Sequence, residues 1–325
     1  MVMARLDLHV HSTASDGRLT PSELVTRAVE ADFVVLAIAD HDTVGGLPEA
    51  MAASREAGLS LLPAVELSVE LGPIADGSAH LLGYFPGSSP SDLLDPANPF
   101  HEALERVRRG RAERNPGILR LLSRMGMPLE TREVEEISGG GVLGRPHIAE
   151  AMVRRGYVRS TREAFDRFLA RGRPAYVDRD RLGILEALEV IGANSGIPVL
   201  AHPGLMPLED HELASLIGSV SGAGVRGIEV YYPRHGRARI DLLLETARDL
   251  DLMVTGGSDF HGFPDDSSAL SGETGGFAVN AESVGRFLTE CGLGPFRRES
   301  HGTTTAEHCS EHAGERPARE DGWPS

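Results

Sequence analysis

The sequence has little of what marks secreted or membrane-spanning proteins. Its 325 residues contain two cysteines, Cys291 and Cys309, which are too few for a disulfide framework. The first twelve residues contain no apolar stretch of the length that a signal peptide needs. The longest apolar run near the start, residues 33–39, is far shorter than the roughly 20 residues of a membrane-spanning helix. We therefore expect a cytoplasmic protein without a membrane segment.

Positive charge is also scarce. The chain has 32 basic residues against 48 acidic ones, a formal net charge of −16 with histidine neutral, which argues against nonspecific binding to duplex DNA. Hydrophobic residues make up 41% and charged residues 25%, an ordinary balance for a globular protein. At about 150 residues per domain, the length suffices for two domains and a large core. The sequence leaves the oligomeric state open.

Short apolar runs alternate with amphipathic stretches along most of the chain. The apolar runs, interpreted as buried strands, are residues 6–10, 33–39, 59–65, 79–85, 197–201, 225–231 and 252–255. Helix-like stretches are residues 21–31, 47–57, 183–194 and 238–249. This alternation predicts an α/β fold built on a parallel sheet or barrel.

The alternation stops over residues 97–182, which are rich in arginine and have helical periodicity. We interpret them as a helical insertion that covers the substrate and divides the α/β barrel into residues 1–96 and 183–296. Residues 297–325 are polar and predict a disordered tail. His301, His308, Cys309 and His312 resemble a zinc site there, but we interpret them as solvated because no core surrounds them.

Histidines or carboxylates lie at the end of nearly every predicted strand. They are His9, His11 and Asp16 after the first run, His41 after the second, Glu66 at the third, His80 at the start of the fourth, His202 after the fifth, Glu229 in the sixth, and Asp259 and His261 after the seventh. The carboxyl ends of parallel strands in a barrel open onto one face. We therefore expect these side chains to converge.

The residue types predict a metal centre. His9 and His11 are two apart on a strand, so both side chains point the same way. Imidazole and carboxylate ligands together suit Zn²⁺, Mn²⁺ or Fe²⁺ better than Mg²⁺ or Ca²⁺. Six histidines and three carboxylates exceed one tetrahedral site, so we predict two or three divalent ions. Asp16 has the alternative of a turn residue beside Gly17, and Asp42 is left out because it can cap the following helix.

These residues also form a motif set that resembles the PHP (polymerase and histidinol phosphatase) superfamily. The motifs are His9-Val10-His11, Ser15-Asp16-Gly17, Asp40-His41-Asp42, Glu66, His80, Ala201-His202-Pro203 and Ser258-Asp259-Phe260-His261. The resemblance covers about residues 5 to 290. With Gly144-Arg145-Pro146-His147 in the insertion, the chain is similar to the stand-alone members that act on 3′,5′-nucleoside bisphosphates or on short 5′-phosphorylated RNA.

The resemblance implies a distorted seven-stranded (β/α) barrel with a trinuclear metal centre. It places His9, His11, Glu66 and Asp259 on one ion, Glu66, His80 and His202 on a second, and Asp16, His41 and His261 on a third. The chain departs from the family pattern in two places. Ala39 precedes the Asp-His-Asp motif where the family commonly has threonine, and Pro116 interrupts an expected helix, which puts the geometry of Arg111 and Arg114 in question.

The residues themselves favour a phosphorylated substrate. Three divalent ions and three carboxylates leave a local charge near +3, which attracts phosphate within an acidic protein. The glycine-rich residues 139–141 precede Gly144-Arg145-Pro146-His147, where Pro146 suits a helix start whose N–H groups, with Arg145 and His147, would face an anion. The alternative for Arg145 is a structural salt bridge. The arginines between 106 and 114 are mostly interpreted as a solvated helix face, of which one or two reach a second phosphate.

Together with the resemblance to the stand-alone members, this predicts that a metal-bridging hydroxide hydrolyses a 3′,5′-nucleoside bisphosphate to a nucleoside 5′-monophosphate and phosphate. Asp259, His202 and Arg145 are the expected catalytic residues, and Arg145, His147 and His235 the expected substrate-binding residues. One alternative is a 5′-3′ exonuclease on short 5′-phosphorylated RNA. Another is a noncatalytic metal-stabilised module, against which the complete ligand set argues.

Overall fold

The computed structural model describes residues 4–263, 269–272 and 277–294. Their strands are β1 Arg5–Val10, β2 Phe33–Ile38, β3 Ser60–Leu61, β4 Ala64–Glu70, β5 Ser78–Tyr84, β6 Leu182–Gly183, β7 Ile197–Leu200, β8 Gly227–Tyr231, β9 Met253–Gly256 and β10 Val279–Asn280. Their α-helices are α1 Pro21–Glu30, α2 Leu47–Ala57, α3 Pro90–Leu93, α4 Pro99–Arg124, α5 Thr131–Ser138, α6 Arg145–Arg154, α7 Thr161–Ala164, α8 Ile184–Ala193, α9 Asp210–Ala223, α10 Arg237–Asp249 and α11 Gly285–Glu290. The predicted tail, residues 297–325, lies outside the described residues.

Local signals account for the helix boundaries. α1 begins with a capping box in which the Thr20 hydroxyl accepts from the Glu23 N–H and the Glu23 side chain accepts from the Thr20 N–H. α2 ends at Gly58, whose φ of 71° is in the left-handed region that favours glycine. In each of these two helices the apolar side chains that face the sheet are buried.

One predicted strand is wrong in its extent. Residues 59–65 form β3 and β4, which are separated at Leu62 and Pro63. Proline has no N–H group to donate to a strand ladder, so it interrupts pairing. β4 continues to Glu70, so Glu66 lies inside this strand, where the prediction had placed it at a strand end.

The strands form two mixed sheets. Their orders are β10-β1-β2-β3 and β6-β4-β5-β7-β8-β9. Most pairs are parallel, as predicted, but β5 is antiparallel to both β4 and β7, and β10 is antiparallel to β1. The expectation of a wholly parallel sheet is therefore wrong. The reversal of β5 places His80, near its start, beside the carboxyl-terminal part of β4, where His80 pairs with Ser68.

Two isolated parallel bridges connect the sheets. Val10 pairs with Phe260, and His41 pairs with Glu66. The His11 N–H donates to the Phe260 carbonyl at 2.9 Å, which holds the end of β1 against the segment after β9. The fold is thus mixed α/β, and these two bridges connect its two open sheets near the ends of β1 and β2. A closed seven-stranded barrel stays a prediction.

The helices α4 to α7, here called the helical segment, lie in the chain between β5 and β6. α4 runs continuously through Pro116, and both Arg111 and Arg114 on it are buried. The helical segment has a hydrophobic core of its own, which includes Ile118, Leu122 and Ile148. Its role as a substrate cover stays a prediction. Among the helices of the described ranges, none is long and apolar enough to cross a membrane.

Candidate metal centre

The end of β1 supplies two adjacent imidazoles. His9 and His11 are fully buried, and their Nε2 atoms are 3.2 Å apart. His9 lies within β1 and His11 follows its last residue, so both rings project from the same side of the strand. Val10 between them packs into the core that includes Leu24 and Phe260.

Glu66 is the centre of the cluster. It is fully buried, and imidazole nitrogens approach both of its carboxylate oxygens. The distances are 2.8 Å from His80 Nδ1 and 3.0 Å from His202 Nε2 to Oε1, and 2.9 Å from His41 Nδ1, 3.3 Å from His11 Nε2 and 3.4 Å from His9 Nε2 to Oε2. A carboxylate with this surrounding can bridge two cations.

Asp259 follows β9 and faces the first two histidines. Its Oδ1 is 3.1 Å from His11 Nε2 and 3.5 Å from His9 Nε2. Its φ of 55° is left-handed, an uncommon conformation for a residue other than glycine. The Tyr232 hydroxyl donates to Asp259 Oδ2 at 2.9 Å, which restrains the carboxylate.

Asp16 lies close to two further histidines, His41 and His261. Its Oδ1 is 3.4 Å from His261 Nε2, and its Oδ2 is 3.8 Å from His41 Nε2. His261 Nδ1 is 2.8 Å from the Asp259 carbonyl, so it is the protonated nitrogen and leaves Nε2 to face Asp16. Asp16 also lies in a turn, as the alternative interpretation expected, and its role as a metal ligand stays a prediction.

The nine predicted ligands converge, and eight of them fall into three groups that could each hold an ion. The groups are His9, His11, Glu66 and Asp259; His11, Asp16, His41 and His261; and His41, Glu66 and His80. The ninth, His202, contacts Glu66. The first group is the one that the family resemblance implies, the second adds His11 to the implied set, and the third contains His41 in place of His202. The assignment of ligands to individual ions stays a prediction.

Unpartnered atoms test whether metals fit this cluster. Nine buried side-chain polar atoms of the described residues lack a well-aligned hydrogen bond, and five of them belong to the cluster: His11 Nδ1, Asp16 Oδ1, His41 Nδ1, Glu66 Oε2 and His80 Nδ1. Buried polar atoms are normally paired. Because imidazole nitrogens and carboxylate oxygens are the ligands of Zn²⁺, Mn²⁺ and Fe²⁺, the donor set fits such ions.

The cluster keeps its carboxylates ionised. Burial opposes ionisation, but His80, His41 and His9 together hold the pKa of Glu66 well below its ordinary value. The same balance, dominated apart from burial by histidines, holds the pKa values of Asp16 and Asp259 well below theirs. Burial lowers the pKa of His80. These charged carboxylates are in the form that binds a metal.

The three predicted substrate residues lie in different surroundings. Arg145 begins α6, donates to the Leu169 carbonyl at 3.1 Å, and lies over the rings of Phe165 and Tyr176. No salt bridge of Arg145 is present within the described ranges, and its role in substrate binding stays a prediction. Pro146 is the second residue of α6, one position later than predicted.

His147 and His235 each have one ring nitrogen in a hydrogen bond to the backbone. His147 Nδ1 accepts from the Gly144 N–H at 3.0 Å. His235 Nδ1 is 2.9 Å from the Val230 carbonyl, and burial lowers the pKa of His235. Because a carbonyl only accepts, Nδ1 carries the proton of the neutral ring and Nε2 is an acceptor. In this tautomer Nε2 can accept a hydrogen bond from a substrate group but cannot donate one.

Sequence reasoning missed a cluster of arginines beside the metal ligands. Asp42 Oδ2 accepts from Arg111 Nε at 2.8 Å and Nη2 at 2.5 Å, and from Arg179 Nη2 at 3.2 Å. Asp42 therefore does not cap the following helix, although the sequence had suggested that it does; the N-cap of α2 is Gly46. The helical period that places Arg111 and Arg114 on the apolar face of α4 was the available signal.

The comparisons with known proteins agree with this geometry. The PHP domain model matches residues 7–270. The chain is 34% identical over 268 residues to the 3′,5′-nucleoside bisphosphate phosphatase of Chromobacterium violaceum, a match that spans 80% of this chain and 88% of that protein.

This chain belongs to the PHP family. It is also 33% identical over 261 residues to a 5′-3′ exoribonuclease of Haemophilus influenzae, covering 80% of this chain and 90% of that protein. A solved amidohydrolase of Chromobacterium violaceum, with bound sulfate and no metal, superposes with a TM-score of 0.76 at 30% identity, covering 89% of this chain and 97% of that one. The PHP-family protein described here is a hydrolase of phosphoester bonds.

Proposed function

We propose that this PHP-family protein removes the 3′-phosphate of a 3′,5′-nucleoside bisphosphate and leaves the nucleoside 5′-monophosphate. The observation that carries the proposal is the juxtaposition of two sites. One is a buried cluster of metal-ligand side chains, and the other is a group of buried guanidinium groups next to it. A substrate with two phosphates can occupy both.

The ligand assignment is part of the proposal. His9, His11, Glu66 and Asp259 would hold one ion, Glu66, His80 and His202 a second, and Asp16, His41 and His261 a third. Divalent ions there would supply charge stabilisation for the phosphoryl oxygens and a water of lowered pKa. Asp259 and His202 act by holding this centre, and Tyr232 keeps Asp259 in place through its 2.9 Å hydrogen bond.

Gly144 joins the two sites. A Cβ built at this glycine would lie 3.5 Å from Arg111 Nη1 and 3.8 Å from Asp16 Oδ2. The guanidinium of Arg111 therefore borders the ligand group of Asp16. Arg145 follows Gly144 directly at the start of α6, where helix N–H groups favour an anion.

Arg114 is the strongest indication of a bound anion among these arginines. It is 5% exposed, and its guanidinium contacts the Asn115 side-chain oxygen. No carboxylate pairs with it in the ranges that the structure describes. Burial, together with Arg111, Arg145 and Arg179, lowers the pKa of Arg114 to about 8. A buried cation without an acidic partner is costly unless an anion completes the site, and guanidinium groups match phosphate oxygens.

His147 and His235 complete the substrate contacts in this proposal. His147 is buried on α6 close enough to Asp16 to interact with its charge. His235 offers Nε2 as an acceptor, which suits a hydroxyl group of the substrate better than a leaving alkoxide.

A 5′-3′ exonuclease on short 5′-phosphorylated RNA is the second candidate, because charge is strongly segregated in the chain. Residues 97–182 contain 18 arginines and 12 acidic residues, a net charge of +6. The remaining residues carry −22. A basic helical segment beside the proposed metal ligands suits a polyanionic strand, and three relatives carry this activity by name.

The deciding experiment compares two substrates on Mn²⁺-loaded protein. We expect 3′,5′-adenosine bisphosphate to yield AMP and phosphate while a short 5′-phosphorylated oligoribonucleotide stays intact. Stepwise release of mononucleotides from the oligomer would instead establish the exonuclease. If the metal-bound protein hydrolysed neither substrate, the proposal would be overturned.

Arg114→Met tests the second phosphate site. Losing a charge-assisted contact of about 1.5–3 kcal/mol should raise KM for the bisphosphate roughly 10- to 100-fold. 3′-AMP, which lacks the second phosphate, should be hydrolysed as by the wild type. Arg106→Met is the matched control, since Arg106 is an exposed α4 arginine paired with Glu186. Equal effects of Arg114→Met on both substrates would contradict the assignment.

A further inference from the structure

Glu229 is a buried carboxylate at the metal centre that belongs to none of the three ligand groups. It lies in β8 and is fully buried. Both of its oxygens are engaged: Oε1 is 3.0 Å from His9 Nδ1, and Oε2 accepts the His202 backbone N–H at 2.8 Å. One side chain thus contacts two separate strand ends.

The contact with His9 sets which nitrogen faces the ions. At the 3.0 Å contact the Glu229 oxygen is the acceptor, so His9 Nδ1 carries the hydrogen and donates this hydrogen bond. His9 Nε2 is then the free nitrogen, and it points at Glu66 and Asp259, at 3.4 and 3.5 Å. Carboxylates in this position fix the ring and raise the basicity of a metal ligand.

The contact with His202 holds an unusual backbone conformation. His202 has φ 31° and ψ 50°, in the left-handed region, which costs a residue other than glycine on the order of 1 kcal/mol or more. Its N–H turns toward Glu229, and its ring Nε2 then lies 3.0 Å from Glu66 Oε1. Glu229 therefore positions the His202 ring through the backbone.

We propose that Glu229 is a positioning residue that couples two of the three ion positions, those that include His9 and His202. The group of Asp16, His41 and His261 has no contact with Glu229 in the described structure and should be insensitive to it. The inference rests on metal binding as part of the proposed function. It does not depend on which phosphoester is cleaved.

Glu229→Gln in the full-length protein tests the coupling by metal affinity. The amide keeps the shape but can accept from only one of the two N–H groups and presents a donor to the other. In a zinc titration against a chromophoric chelator, we expect two ions to weaken together by about 10- to 100-fold. The third ion should keep its wild-type affinity.

Thr255→Val is the matched control. Thr255 is fully buried and lies opposite Glu229 in the β8-β9 register. Its substitution therefore perturbs the same part of the sheet. The control should bind zinc as the wild type does. The melting temperature of the metal-free proteins checks the fold, and Glu229→Asp, which keeps the charge, replaces Glu229→Gln if that variant does not fold.

A spectroscopic measurement distinguishes a loss of His9 positioning from a general disruption of the fold. In the zinc-loaded wild type, the His9 Nδ1–H should give a slowly exchanging signal in a ¹H–¹⁵N spectrum of the histidine side chains. We expect the signal to shift or disappear in Glu229→Gln and to stay in Thr255→Val.

Three results would overturn the inference: unchanged zinc affinity in Glu229→Gln, weakening of a single ion, or equal weakening of all ions. A wild-type protein that binds no zinc, Mn²⁺ or Fe²⁺ would overturn the proposed function as well. Wild-type binding with an unaffected Glu229→Gln would overturn only the coupling.

Discussion

At the scale of single residues, the buried carboxylates around the site divide into two kinds according to what they face. Asp16, Glu66 and Asp259 face imidazole nitrogens. Four others accept from N–H, O–H or guanidinium donors at both oxygens: Asp7, Asp40, Asp42 and Glu229. Glu229 also faces one imidazole nitrogen, His9 Nδ1, as one of these donors. Asp40, for example, accepts from the Ser12 N–H and from the hydroxyls of Ser12 and Ser15. The carboxylates of the first kind are the ones that we propose as ligands.

Asp259→Asn should abolish most of the activity and leave the fold in place. The change removes one negative charge from the proposed ligand group of His9 and His11 but keeps the side-chain shape. We therefore expect kcat for phosphate release to fall by more than about 100-fold at saturating Mn²⁺. Substitution of a residue that only supports a ligand usually lowers activity by about 10- to 100-fold. The measurement is phosphate release together with the melting temperature.

The exposed Asp76→Asn is the control for the charge change and should be fully active. Near-normal turnover by Asp259→Asn would remove Asp259 from the ligand set.

At the scale of elements, close backbone approaches bring the ligands together. A Cβ built on Gly257, just after β9, would lie 2.3 Å from His9 Cβ and 2.6 Å from His9 N. A Cβ on Gly17 would lie 2.1 Å from the His11 carbonyl oxygen. Since backbone atoms cannot give way as a flexible side chain can, glycine is required where β1 meets the neighbouring segments.

Gly257→Ala should therefore destabilise the protein strongly. We expect a loss of more than about 4 kcal/mol in the free energy of unfolding by urea, the range reserved for severe overpacking or strain. Gly218→Ala in α9 is the control, because a Cβ there meets nothing within 4 Å, and it should be neutral or stabilising by up to about 1 kcal/mol. Similar small effects of the two substitutions would contradict the close approach.

Asp42 connects the loop after β2 to the helical segment and to Arg179. Asp42→Asn leaves Arg111 and Arg179 buried without an acidic partner, which should cost about 3–5 kcal/mol in the free energy of unfolding. The control, Asp241→Asn, breaks an exposed ion pair with Arg237 and should cost less than about 1 kcal/mol. An equally small cost for both, measured by urea unfolding, would show that the buried pair does not hold the elements together.

At the scale of the whole molecule, the ligands come from positions 9 to 261, so bound ions would connect most of the fold. A ligand that binds only the folded state stabilises it in proportion to the logarithm of its concentration, by about 2.7 kcal/mol at 100 times Kd. The melting temperature should therefore rise with added Zn²⁺ or Mn²⁺ and fall on chelation. Asp259→Asn should show a smaller rise than Asp76→Asn; a rise of the same size in both would argue for binding elsewhere.

The order of strands and helices could be predicted because apolar periodicity and capping residues act locally. The family and the ligand residue types could be predicted because the motifs are contiguous or lie next to strand ends. The reversal of β5, the position of Glu66 inside β4, and the partner of Asp42 could not. Each depends on which strand or helix lies alongside, which a local pattern does not encode.

The sequence by itself determined the PHP family, the α/β class and the inventory of imidazoles and carboxylates, since these depend on residue identity and short-range spacing. The tertiary structure decided the rest: that Glu66 sits among five imidazoles, that Arg111 and Arg114 turn inward, and that Glu229 contacts both His9 and His202. The physical reason is that the charge, tautomer and partners of a buried polar group are set by long-range packing, which brings together residues more than two hundred positions apart.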